Sequence, residues 1–489
     1  VLASLNKSNA EMQQAMERLS TGKRINSAGD DAAGLSISAK LRAQVDSLNA
    51  AIKNSSDALA MVSTIEGALV ETTSILQRMR TLAVQSSSDT NTGNDRTYLQ
   101  DEVNQLITEI NRISSNTEFN STKLLDGTFT DKNIQIGTAS NQVLRLGVMA
   151  TDSTKLGAYQ LDTVDESVAP DDTFASAKSA LNDLFSGSAD YIVKGTFGTF
   201  TASVDDGADA RDVASSFNLI SGDTGVNATA LTKARFTVSN AATFSFTLEG
   251  KSTTTSTITA TITSTTDLTA IKDAINAVSG STGITAALTS DKSGIDITQS
   301  EGYDIIIGDV ATGSTDANLL VTAMDMDGNL DTTGGARTLD GDGTTGDSTA
   351  IVGTVRLSSQ NAYTVTPGNA ANHFSTGTSE ITATHNTISA VSLTTKEGAT
   401  KAMSVIDGAL LMISGIRSDM GSANNRLQST IDNLSNIAVN AQKSLSTIED
   451  ANFAEETAKL TKAQILAKAA TSMLAQANQA KETMLALLQ

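Results

Sequence analysis

The run Leu19-Ser-Thr-Gly-Lys-Arg-Ile-Asn-Ser-Ala-Gly-Asp-Asp-Ala-Ala-Gly34, with the apolar stripe behind it, decides how this 489-residue chain is organised. Asp30 or Asp31 is placed to cap a helix start, offering a side-chain oxygen to its free backbone N–H groups. Beyond it Leu41, Val45, Leu48, Ile52, Leu59 and Val62 recur at spacings of three, four or seven. Ile65, Leu69, Leu76 and Met79 carry the stripe on after one phase shift, and Gly67 is the only glycine between Gly34 and Gly93. So narrow a stripe is a coiled-coil seam and needs a partner helix. The partner is at the other end of the chain. From Ile406 the steps alternate four and three through Leu410, Ile413, Arg417, Met420, Asn424, Leu427, Ile431, Leu434, Ala438, Ala441, Leu445 and Ile448. Two seams at opposite termini predict that the ends pack together and that the middle is an excursion.

Composition narrows the function. With no cysteine there is no disulfide, thiolate metal site or cysteine nucleophile. No long uninterrupted apolar run predicts a bilayer-spanning helix, and no basic–apolar–small-residue leader opens the sequence. Residues 151–395 hold 11 Lys/Arg against 29 Asp/Glu, a net of −18, whereas the two ends nearly balance. An acidic middle between balanced ends suits a solvated outer face and argues against nucleic-acid binding.

Along the chain, 35–85 reads as one long helix and 86–94 as a turn-rich loop. A second helix follows, with Leu99, Val103, Leu106, Ile110 and Ile113 on one face. Residues 133–148 alternate as a hairpin. The middle is rich in Ser, Thr, Gly and Asp and reads as short strands around an internal repeat at about 197–250 and 255–310. In it FTASVD at 200–205 matches ITATIT at 258–263, FNLISGDTGVNATALT at 217–232 matches INAVSGSTGITAALT at 275–289, and FTVSNAATFSF at 236–246 matches IDITQSEGYDI at 295–305. VRLSSQNAYTV at 355–365 resembles the strand part of a third copy. From Lys396 the chain returns to helix, and after Gly421 neither Gly nor Pro occurs, which predicts a rod of about 100 Å. Its last third keeps the spacing with smaller residues, including Ala463, Ala467, Ala470, Leu474 and Leu488, so it needs neighbouring subunits to be stable. The predicted class is α+β and multidomain, with terminal helices packed together and β-rich outer parts inserted between them.

No catalytic constellation or cofactor fingerprint is present, and the reading is of a non-enzyme. His373 and His385 lack metal-site spacing. The Asp325–Asp331 stretch has its glycine at position 4 and Ala336 at position 12 of a calcium loop, so an acidic turn is favoured.

The blocks RLSTGKRINSAGDDAAGLSIS, LQRMRTLAVQSSSDTNTGNDRTYLQDEVNQLITEINRIS, NTEFNSTKLLDG and QILAKAATSMLAQANQAKETMLALLQ resemble bacterial flagellin over roughly 1–150 and 395–489. Gly29 stands where that family more often has lysine. The resemblance implies an extracellular self-assembling filament subunit and a short segment before Val1. It implies an inner helical domain from 1–34 with 450–489, a second from 35–150 with 397–449, and a variable outer region at 151–396. The implied self-assembly seams are Leu41, Val45, Leu48, Ile52, Leu59, Ile406, Leu410, Ile413, Leu427, Ile431, Leu434, Leu445, Leu474 and Leu488. Implied partners are further copies of the chain, an export chaperone, a filament cap and hook-junction proteins. The family also implies O-glycosylation of the Ser/Thr-rich middle and contact of a Toll-like flagellin receptor with Gln77, Arg78, Leu82 and Glu109. A hook–filament junction protein and a secreted β-rich adhesin are the rival readings.

Overall fold

The computed structural model describes residues 2–487 except 89, 164–169, 172, 185–188, 290, 313–315, 332–334, 342–345, 369–373 and 375–377. Leu488 and His373 therefore lie outside the described residues. In chain order come α1 (Leu2–Thr21), α2 (Ala32–Ser86), α3 (Gly93–Asn116), β1 (Glu118–Phe119), β2 (Thr122–Lys123), β3 (Lys132–Gln135) and β4 (Val143–Leu146). The middle holds β5 (Gly157–Asp162), α4 (Phe174–Leu184), β6 (Ala189–Lys194), β7 (Thr199–Val204), α5 (Ala210–Leu219), α6 (Ser221–Thr224), β8 (Asn227–Val238) and β9 (Thr243–Glu249). It continues with β10 (Ser256–Thr261), α7 (Thr269–Ala277), α8 (Ser279–Thr282), β11 (Ile284–Leu288), β12 (Gly294–Gln299), β13 (Ile305–Thr312) and β14 (Asn318–Met324). Then follow β15 (Arg337–Asp340), β16 (Thr349–Ile351), β17 (Thr354–Ser359), β18 (Thr364–Pro367), β19 (Ile381–Thr382) and β20 (Thr384–Thr387), before α9 (Lys396–Glu449) and α10 (Phe453–Leu487).

The chain divides into two compact units. The first comprises Val1–Ile65, Phe129–Gly147 and Asp419–Gln489, and the second Glu66–Thr128 and Val148–Ser418. In the first, Val45, Leu48 and Ala51 of α2 form a core with Leu434, Ala438 and Ala441 of α9, flanked by Ile52. The 3.5-residue period keeps these side chains on one seam, so the two ends of the chain meet as predicted. The β3–β4 hairpin buries Leu144 and Leu146 and accepts a hydrogen bond at the Gln135 carbonyl from Asn54 of α2 (3.2 Å).

The rod predicted after Gly421 is two helices: α9 ends at Glu449 and α10 begins at Phe453. No glycine or proline marks the break. Asn452 caps α10 instead, its Oδ1 accepting from the Ala454 N–H at 3.2 Å, and Lys23 forms an isolated antiparallel β-bridge with Asp450 in the interruption. The α2 and α9 helices each contain an 18-residue window of mean hydropathy 1.3, long and apolar enough to cross a bilayer by length and composition. The Val45–Ala441 seam shows apolar faces of these same helices packed on each other.

In the second unit α2, α3 and α9 pack with Leu69, Leu76, Met79, Val103, Ile110, Ile406 and Ile413 buried. A capping box at Thr92 and Asp95 starts α3. Two copies of one supersecondary unit build the β-rich part, and they are nested. In the later copy β9 and β10 form a hairpin, α7 and α8 follow, β11 pairs with β12, and β13 returns to β9. The earlier copy runs β6, β7, α5, α6 and the first half of β8, then is completed by β17 on β8 and β18 on β6. Registers agree: Ala228 pairs with Leu357 as Ala286 pairs with Ile297. Asn218 clamps the Ala228 backbone at 2.8 and 2.9 Å, and Asn276 does the same to Ala286. The 355–365 stretch is thus no third copy; it, and not 236–246, is the counterpart of 295–305, and it supplies the last strands of the first copy, whose core contains Val355, Leu357, Tyr363 and Val365. The second copy closes its own core around Phe246, Ile258, Ile275 and Ile297.

Candidate assembly surface

The motif that opened the sequence folds as a clasp in the first unit. Gly22 takes φ +70°, where an L side chain is strained, and turns the chain out of α1. A Cβ at Gly34 would sit 2.6 Å from the buried Ile25 side chain, so only glycine admits that contact. Both aspartates are used. Asp30 accepts from the backbone of Asn26 (3.2 Å) and Ser27 (2.9 Å) and from Gln14 (3.0 Å), while Asp31 caps α2 through the Gly34 N–H (2.8 Å). The Ser27 backbone bond, then Gln14, pulls the Asp30 carboxyl down to about 2.

The 22–24 segment meets the α9–α10 break. The Arg24 N–H donates to the Glu449 carbonyl (2.6 Å), and the Ala451 N–H donates to the Gly22 carbonyl (2.9 Å). The buried Glu449 carboxylate is held by Arg42 and by Lys23 (2.6 Å). These two cations, Arg42 first, lower its pKa below the ordinary 4.5. Arg18 and Lys459 bind the buried Glu456 at 3.4 and 3.0 Å. Sequence periodicity missed this cluster, because ion pairs between the two ends leave no repeat.

Beyond the clasp α1 packs along α10. The contact is made by small residues, with Ser8, Ala15 and Ala463 buried, so the backbones approach closely but little apolar area is covered. Outside this contact Met16 of α1 and Phe453, Ile465, Leu466 and Met473 of α10 face solvent, and an open groove lined in part by Ala454, Ala458, Ile465 and Leu466 runs along α10. A helix apolar around most of its circumference is normally enclosed, and among the described residues α1 is the main partner of this one.

Of the seam residues, Val45, Leu48, Ile406, Ile413, Leu427, Leu434 and Leu445 are buried within the chain, and Leu41, Ile52, Leu59, Leu410, Ile431 and Leu474 are half-buried. On the second unit's helical face Arg78 pairs with Glu102 (2.7 Å) and Glu109 with Arg112, all partly exposed. Gln77 is exposed and Leu82 points into the core at 1% exposure. The Asp325 turn closes on itself, with Asp325 accepting from Asn329 at 2.7 and 2.8 Å, and Asp327 binds Arg356 at 2.8 Å. Among the described residues no group of three or more His, Asp or Glu is placed to hold a metal ion.

Helices from both termini that close one seam and leave another apolar face open define a self-associating structural subunit with a β-rich insert. Comparison with known proteins specifies it. Residues 1–130 match the bacterial flagellin N-terminal helical region, 403–488 its C-terminal helical region, and 243–301 the flagellin hook IN motif, which coincides with the contiguous second copy. B-type flagellin of Pseudomonas aeruginosa is 34% identical over 99% of this chain and 96% of its own. Flagellin A of Vibrio anguillarum is 31% identical over the same shares. The solved FliC structure from Burkholderia pseudomallei covers 75% of this chain and 99% of its own at 16% identity, with a TM-score of 0.30. The chain belongs to the bacterial flagellin family.

Proposed function

We propose that this chain is the building block of the bacterial flagellar filament, acting by self-association and not by catalysis. The observation that carries the reading is α10, partnered only by α1 in the described structure while Phe453, Ile465, Leu466 and Met473 stay in water. Burying one such side chain contributes roughly 1.5–3 kcal/mol. A contact between different surfaces on successive copies continues indefinitely as a helical polymer.

The chain works outside the cell, at the flagellum, after export in an extended form that the absence of disulfides permits. An export chaperone covers α10 beforehand, and cap and hook-junction proteins bound the polymer at its ends. The Gln77, Arg78 and Glu109 face, with Leu82 beneath it, is the surface offered to a Toll-like flagellin receptor before assembly hides it. Seeded polymerisation tests the reading. Purified chain plus filament fragments gives long filaments by negative-stain electron microscopy, and the chain lacking 450–489 gives none. Short capped rings would favour a junction protein, and indifference to seeds and truncation would favour an adhesin.

A further inference from the structure

The two nested copies share a fold but not a surface. Among the described residues of 151–395, five large apolar side chains are exposed, and four belong to the first copy: Ile192 (39%), Phe197 (71%), Phe200 (36%) and Leu219 (83%). Their setting can be matched position by position. Gly195 and Gly250 occupy one site, since a Cβ on either would strike the carbonyl oxygen of Thr224 or Thr282, at 2.0 and 2.5 Å. After Gly250 the corresponding connection, 251–255, reads Lys-Ser-Thr-Thr-Thr, with no counterpart of Phe197. Leu219 follows the clamp Asn218 as Ala277 follows Asn276. Ile192, three residues before its glycine, corresponds to Thr247. Phe200, opposite Val193, corresponds to Ser256, opposite Leu248, so the ladder shifts the match two residues from the FTASVD–ITATIT alignment. The fold is complete in the second copy without these apolar groups, so folding does not require them in the first.

The same place carries an open strand edge. Among the described residues the first-copy sheet runs β19-β18-β6-β7, with β7 paired on one side only. Residues 195–204 contain no charged residue and no proline, the usual guards of a free edge. They form a neutral, apolar tip on a region of net charge −18.

We propose that this tip, β7 with Phe197, Phe200 and Leu219, docks on the middle region of a second copy of this chain within the polymer. The step rests on the filament-subunit reading. Two acidic regions repel except where charge is absent, which selects this tip as the point of contact. Three side chains and one strand edge cover far less than the roughly 1,200 Å² of a stable free complex. Contact therefore forms only where assembly holds the copies at high effective concentration. It links outer regions that the terminal helices have already brought side by side.

The test uses the full chain with a benzoyl-phenylalanine photo-crosslinker at position 197, or at position 252 of the second copy as control. Microscopy first establishes that filaments form. Irradiated filaments labelled at 197 are expected to give covalent dimers whose joined peptides map to 151–395 of a neighbour, with none from dilute monomer. Adding Leu219→Ala should reduce the dimers while filaments persist. Filaments that give no dimers at 197, or no more than at 252, overturn the proposal. Failure of the unlabelled chain to form filaments would be seen before irradiation, and would remove the filament reading and this neighbour with it.

Discussion

The end of α9 and the whole of α10 share a period and a lack of glycine and proline, yet they have different fates. Beyond Gly421 the α9 seam buries Leu427, Leu434, Ala438, Ala441 and Leu445, largely against α2. In α10, of the side chains described, only Glu456 and Ala463 are buried. Spacing is equal, so side-chain volume and partner decide. A leucine seam against a leucine seam covers enough area to fold within one chain, and an alanine seam against α1 leaves the work unfinished. The end of α9 is core within the chain, and α10 is the assembly surface of the proposed function.

Substitutions sharpen the contrast, beginning with the core. Leu427→Ala removes a fully buried side chain and should cost about 2–4 kcal/mol, read from the midpoint of urea unfolding. A change below about 0.5 kcal/mol would break the assignment of α9 as core. In the polymer Ile465→Ser should lose about 2 kcal/mol per subunit, raising the critical concentration roughly thirtyfold, with monomer stability unchanged within about 0.5 kcal/mol. Glu449→Gln should cost about 1–2 kcal/mol at neutral pH by loosening the clasp between the two helices.

Glu449 also sets a pH dependence. Its folded-state pKa lies below 4.5, so its stabilisation is complete above that pH and is lost as acid titrates through the lowered value. The gap in urea midpoint between wild type and Glu449→Gln should close on acidification below pH 4.5. A gap that widened there would reverse the sign. The smallest effect is Arg78→Ala on the other unit, below about 1 kcal/mol for an exposed pair with Glu102.

Legibility in the sequence followed the range of the interaction. The stripe from Leu41 to Met79, the seam from Ile406 to Ile448 and the Asp31 cap were readable because helix period and capping are local. The break at 450–452 was not, since Asn452 caps only where Gly22 and Arg24 pair with the interruption. Nesting was hidden for a related reason. Sequence matching put the counterpart of 295–305 at 236–246, in the same stretch of chain, whereas the ladder puts it at 355–365, because Ala228 meets Leu357 across an inserted copy. Of the candidate assembly surface, the alanine-rich face of α10 was readable, whereas the clasp at Glu449 was not.

Hydrogen–deuterium exchange, compared between monomer and filament, tests the division most directly. In the monomer, amides of 453–481 should exchange orders of magnitude faster than those of 427–445, and should become protected on polymerisation. Strong protection of 453–481 in the free monomer, unchanged in the filament, would contradict the account.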